Sequence, residues 1–329
     1  MFNSTHKEIP MKVLVKFFAV LFFVFVWSGG NAMAAEKLPV FVSILPQKTF
    51  VQEIGGDRVS VQVMVQPGAS PATYEPKPRQ MAALAGAQIY FSIGVPFENV
   101  WLDKIATASP AMSVVRTDSG IHKLAMAAHN HGGGAEPDKA HDNGHHDNGH
   151  HEGGLHEGHS KEAFHGRHGL DPHVWLSPAL VKIQAGHILA ALTQADPGHA
   201  DVYEANYTRF IDSISRLDAE LKAVFKGKQG LQFMVFHPSW GYFAKDYGLT
   251  QIPIEIEGKN PKLAQLQTLI RHAREHKIRI IFVQPQFSTK SADVVAREIG
   301  GKVAFADPLA QDWEGNLRYV AGQFRAALK

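Results

Sequence analysis

Short apolar runs rich in β-branched residues alternate with helical stretches, and they do so in two separate series. The first series reads as strand 40–45, helix 49–54, strand 59–66, helix 79–85, strand 88–93, helix 98–107 and strand 112–116, with the turn-rich PGASPATYEPKP at 67–78 in its middle. Such βαβαβαβ alternation implies a parallel sheet with helices on both faces. A helix at 179–194 follows and breaks at Asp196-Pro197-Gly198. A second helical pattern over 200–225 places Val202, Ala205, Phe210, Ile214, Leu217, Leu221 and Val224 at three- and four-residue spacings. At 1.5 Å per residue it reaches on the order of 40 Å, long enough to span two lobes. The same grammar then repeats: strand 231–236, helix 240–247, strand 250–256, helix 262–275, strand 278–283, helix 289–299, strand 302–306 and a last helix to Leu328. The expected fold class is α/β, with two lobes, each a four-stranded parallel sheet flanked by helices, joined by one long rigid helix.

Between the two series lies a segment of a different kind. Residues 122–168 hold twelve of the 19 histidines among Gly, Asp and Asn. Its centre is a tandem, HDNGH at 141–145 and again at 146–150, followed by HEGGLHEGH at 151–159. So few apolar groups cannot offset the entropy of ordering, and a connection of this length is functional or disordered rather than structural. Neutral imidazole is the commonest protein ligand for borderline metals. His141, His145, His146, His150, His151, His156 and His159 therefore form a set of overlapping weak sites for zinc, nickel or copper.

The N-terminus carries Lys7, Lys12 and Lys16, an apolar run at 17–27, and small residues up to Ala32-Met33-Ala34. The run is shorter than the ~20 apolar residues a membrane span needs. It reads as a secretory signal over 1–34, cleaved near Ala34, with Met1 or Met11 as the start. Removing 1–34 takes three of the 33 basic and one of the 31 acidic residues, which leaves the mature chain with no net charge. Nucleic acid and anionic membrane, both recruited by basic excess, are not expected partners. The absence of cysteine excludes disulfides, thiolate metal sites and a lipid-anchored N-terminal cysteine. The expected division is signal 1–34, an N-terminal lobe 35–198 that includes the loop 122–168, a linking helix 199–226 and a C-terminal lobe 227–329.

In open parallel sheets ligands bind beyond the carboxyl ends of the strands. His237 follows the strand ending at Phe236, and Asp307 the strand ending at Ala306. His173 stands between Pro172 and Val174, just after the histidine-rich segment. Two imidazoles and a carboxylate with an open position suit zinc or another divalent first-row ion. Each residue alone has a plainer reading: His237 and Asp307 precede proline and serve as turn or cap residues, and His173 as a hydrogen-bonded core histidine.

PGASPATYEPKP, the histidine-rich insertion, DPHVWLSP at 171–178, FHPSWGYFAKDYG at 236–248, FVQPQF at 282–287 and FADPL at 305–309 together resemble the solute-binding proteins of zinc and manganese ABC importers. The resemblance spans nearly the whole mature chain and is most specific in DPHVWLSP and in the histidine before GYF. It implies a periplasmic monomer that holds one Zn2+ as cargo between two lobes and passes it to an inner-membrane ABC permease. It also implies His173, His237 and Asp307 as ligands. The family's first ligand is a histidine in the turn after the second strand, where this chain has Ala72. A fourth ligand then comes from water or from the insertion, whose nearest imidazoles are His168 and His165.

A manganese, nickel or copper carrier of the same importer class is the alternative. A secreted zinc hydrolase shares the two-His, one-Asp set, but no HExxH helix, GxSxG elbow or paired-carboxylate motif accompanies it, so no enzymatic activity is expected.

Overall fold

The computed structural model describes residues 37–126, 169–256 and 258–327. Residues 1–36, where a signal is expected, and residues 127–168, with the HDNGH tandem, His165 and His168, lie outside the described residues. The first series forms β1 (Leu38–Val42), α1 (Leu45–Gly55), β2 (Val59–Val63), α2 (Pro78–Leu84), β3 (Ile89–Ser92), α3 (Glu98–Ala108) and β4 (Ser113–Arg116). Helices α4 (Pro178–Ala195) and α5 (Ala200–Phe225) follow. The second series forms β5 (Gln232–Val235), α6 (Gly241–Asp246), β6 (Thr250–Pro253), α7 (Leu263–Glu275), β7 (Ile280–Val283), α8 (Lys290–Ile299), β8 (Lys302–Phe305) and α9 (Trp313–Ala327).

Each series makes one four-stranded parallel sheet, ordered β2-β1-β3-β4 and β6-β5-β7-β8. In both, the chain reverses its direction of travel across the sheet between the first and third strands of the series. That creates the crevice beyond the strand ends where ligands bind in open α/β sheets. The first helix starts earlier than periodicity suggests. Pro46 sits in its first turn, and Gln47 Oε1 accepts from the backbone N–H groups of Ser43 (3.1 Å) and Ile44 (3.3 Å), so the strand ends at Val42.

Side-chain alternation along β5 and β7 assigns their two faces to different cores. Phe233, Val235, Ile280 and Phe282 join the large core that also holds β1, β3, α5 and α9. Met234, Phe236, Ile281 and Val283 pack with α7 and α8 in a second core. The 26-residue α5, about 39 Å long, lends Phe210, Ile214, Leu217, Leu221 and Phe225 to the large core, so one continuous apolar interior runs through both lobes.

The buried face of α5 departs from the sequence expectation in its first turns. Val202 and Ala205 are exposed, and Tyr203 and Asn206 are buried instead. Their polar atoms are paired, Asn206 Nδ2 with the Ile54 carbonyl (2.9 Å) and the Tyr203 hydroxyl with Asp196 (2.7 Å). Hydropathy misses such positions because hydrogen bonding offsets the cost of burying them.

Glu98, the first residue of α3, is buried and gathers the loop after β3 by accepting from Gly94 N–H (2.7 Å), Ile93 N–H (3.0 Å) and the Ser43 hydroxyl. Burial pushes its carboxyl up to about 7, against those hydrogen bonds. A raised folded value means that this group's contribution is present below the unfolded value near 4.5 and is lost as pH rises through about 7. Urea unfolding should show a fall of roughly 3 kcal/mol from this source across that window, absent in Glu98→Gln. Identical pH slopes for the two proteins would show that Glu98 does not titrate there.

Candidate metal site

DPHVWLSP folds as a short connector that aims one imidazole. His173 precedes the single helical turn Val174–Leu176, after which Ser177 Oγ caps α4 by accepting from Leu180 N–H (3.2 Å). Asp171 Oδ1 accepts from both the backbone N–H of His173 (2.9 Å) and its Nδ1 (2.6 Å). With Nδ1–H donating, the lone pair is on Nε2. Burial holds His173 below the ordinary histidine range, with the Asp171 carboxylate opposing and His237 adding to the depression. The ring therefore stays neutral and competent to ligate at neutral pH.

His237 is built in a parallel way from the other lobe. It stands two residues beyond β5, and its Nδ1 donates to Glu255 Oε1 (2.7 Å), again freeing Nε2. Gln284, just beyond β7, accepts from His237 N–H (3.3 Å) and donates through Nε2 to the His237 carbonyl (2.7 Å). The imidazole stacks on Phe287 at 5.4 Å between ring centres. Glu255 is 7% exposed, and its Oε2 is buried with no hydrogen-bond partner among the described residues. A buried carboxylate with an uncompensated oxygen favours a cation nearby.

The two rings meet in a cavity of about 210 Å³, with centroids 5.4 Å apart. Two imidazoles on one tetrahedral zinc, each with Zn–N near 2.0–2.1 Å, place their ring centres about 5 Å apart. The cavity walls are mainly apolar, with Val95 and Pro96 from the loop after β3, Trp175, Phe287 and Leu309 among them. Ala72 also lines it, so the turn after β2 does face the cleft. The lobes are cross-tied here: Trp175 Nε1 donates to the Pro308 carbonyl and Trp313 Nε1 to the Trp175 carbonyl, both at 2.7 Å.

Asp307 is held apart from the pair. It lines an adjoining pocket of about 40 Å³, and its Oδ1 accepts from Gln286 Nε2 (3.2 Å) and Leu309 N–H (3.0 Å). Gln286 and Leu309 line both spaces. Among the described residues no group of three or more His, Asp or Glu side chains is arranged to hold an ion. His165, His168 and the seven weak-site histidines fall outside the described residues.

Sequence reasoning missed Asp171 and Glu255. Asp171 is in the motif that singled out His173, and the two-residue spacing was its signal. Glu255 was hidden inside the expected strand 250–256, which in fact ends at Pro253. Carboxylates that orient ligating histidines are worth 10–100-fold in metal affinity. Glu255→Gln keeps an acceptor for Nδ1 but removes the charge, so metal affinity should fall about tenfold. An unchanged constant in competition titration would exclude Glu255 from the site.

The base of the histidine-rich segment is anchored at the same place. Ala125 and Leu170 form an antiparallel bridge, and Met126 N–H donates to the Gly169 carbonyl (2.6 Å). The Tyr242 hydroxyl of α6 accepts from Leu124 N–H (3.0 Å) and donates to the Asp171 carbonyl (2.8 Å). Met126 itself lines the cavity that holds the imidazole pair.

The family described as zinc-uptake complex component A, periplasmic, matches residues 40–327. This chain belongs to that family. It resembles the high-affinity zinc uptake system protein ZnuA of Bacillus subtilis (strain 168), at 27% identity over 288 residues covering 85% of this chain and 81% of the relative. It resembles the zinc-binding protein AdcA of Streptococcus pyogenes serotype M3 at 27% over 306 residues, covering 91% of this chain but 56% of AdcA, so it spans little more than half that relative. A crystal structure of ZnuA superposes with a TM-score of 0.75 at 39% identity, covering 89% of this chain and 100% of the other. Membership of the zinc-uptake component family makes the chain a binding component of a transport system and not an enzyme.

Proposed function

We propose that this chain captures Zn2+ in the inter-lobe cleft and delivers it to the permease of an ABC importer. The observation that carries the reading is the pair His173 and His237, each oriented by a buried carboxylate, at 5.4 Å in the cleft. The family to which the chain belongs is described by zinc uptake, which favours zinc over manganese, nickel or copper as the cargo. Nitrogen donors fit zinc better than they fit manganese.

In the site we propose, His173 and His237 bind through Nε2, and Asp307 supplies a third donor once Gln286 releases it. The fourth comes from His165 or His168 or from water. The remaining loop histidines gather metal weakly beside the cleft. The working division is a signal over 1–34 cleaved near Ala34, a lobe over 35–198, a linking helix over 199–226 and a lobe over 227–329. The mature protein acts as a periplasmic monomer without a lipid anchor.

Chelator-competition titration of the wild type and of a deletion of residues 129–168 tests the fourth donor. The deletion should bind the first zinc roughly ten- to a hundredfold more weakly, about 1.4–2.7 kcal/mol. Ala72 lines the cavity, so Ala72→His in the deleted protein should recover most of that loss. A deletion that binds within about threefold of wild type would remove the loop from the tight site and leave it a role in capture.

A further inference from the structure

A second pair of imidazoles stands at the far end of the C-terminal sheet. His272 and His276 lie one turn apart at the end of α7, with ring centroids 4.2 Å apart and planes tilted by 36°. The spacing, in the stretch His-Ala-Arg-Glu-His, places both rings on one helix face, as in helical two-histidine metal motifs. Their backbone is fixed. His276 N–H donates to the His272 carbonyl (3.0 Å), Lys277 N–H to Arg274 (3.2 Å) and Ile278 N–H to Ala273 (2.9 Å), with Lys277 in the left-handed region at φ 53°. This closed helix end, anchored by buried Ile278, holds the two positions in register.

A third donor comes from another element. Gln232, the first residue of β5, has its Oε1 2.9 Å from His272 Nε2. Two donors that share one ion at about 2.1 Å lie about 3 Å apart, so replacing the shared proton by a metal requires little movement of either group. The carbonyl end of a helix favours a cation. Burial, with His276 adjacent, holds His272 below the ordinary range, so the ring is neutral near pH 7. Neighbouring Arg274 is engaged by Glu298 (2.9 Å). Gln232 opens β5 and His237 follows its end, which places this cluster at the opposite end of the sheet from the cleft.

The geometry points to a second, weaker site for a divalent first-row transition ion, formed by His272, His276 and the Gln232 side-chain carbonyl. His276 is exposed, so its reaction with diethyl pyrocarbonate, followed peptide by peptide by mass spectrometry, reads the site in the full chain. Zinc at about 100 μM should slow acylation of His276 at least about fivefold, which corresponds to a dissociation constant of about 25 μM or below. Gln232→Ala should shift the protection to higher zinc, and His272→Ala should abolish it. The His173→Ala, His237→Ala double variant should leave it unchanged, which separates this site from the cleft. Acylation of His276 that is indifferent to zinc up to about 1 mM, or protection that survives in His272→Ala, would overturn the proposal.

Discussion

His237→Ala and His173→Ala should each raise the zinc dissociation constant by about a hundredfold or more, at least ~2.7 kcal/mol. The two substitutions differ in what they leave behind. The His237 side chain is 24% exposed, and its removal deprives the buried Glu255 carboxylate of its only hydrogen bond among the described residues. The loss of a ligand is then partly masked by a site left more negative. His173 is 8% exposed and packs against Trp175 at 5.1 Å between ring centres. Removing it opens a void and leaves Asp171, among the described residues, only the backbone N–H of residue 173, so unfolding without metal should also become easier by about 1–3 kcal/mol. Competition titration and urea unfolding of the metal-free proteins separate these effects. A variant whose zinc constant is unchanged removes its residue from the site.

Zinc should also raise stability by about 4 kcal/mol at a thousandfold excess over its dissociation constant, because only the folded chain brings residues 173 and 237 together. The weak HDNGH sites of the loop contribute little to this. They carry their donors within ten residues of sequence, so the unfolded chain offers them as well, and binding to both states cancels in the linkage. Thermal unfolding with and without zinc should therefore show a large upward shift in wild type that disappears in the His173→Ala, His237→Ala double variant. A shift of equal size in the double variant would place the tight site elsewhere.

Much of the architecture was legible before the structure. Both βα series, the parallel sense of their sheets and the extent of α5 follow from hydrophobic period and turn chemistry, which act over a few residues at a time. Discrepancies arose where a polar group took an apolar group's place. Gln47 ended β1 early, and Asn206 and Tyr203 occupied the inner face of α5. A hydropathy pattern carries no information about whether a buried amide or hydroxyl finds a partner, because the partner is remote in sequence.

The sequence by itself determined the two α/β series, the long helix, the histidine-rich segment and the strand-end positions of His237 and Asp307, all of which are properties of short windows. Only the tertiary structure decided that His173 and His237, 64 residues apart in sequence, face each other at 5.4 Å, that Asp171 and Glu255 fix their tautomers, and that Ala72 lines the cavity. It also decided that Asp307 is engaged by Gln286 and Leu309 beside that cavity. Those relations arise from two lobes docking through a shared core, and the geometry of a docked interface depends on the packing of side chains from many distant segments at once.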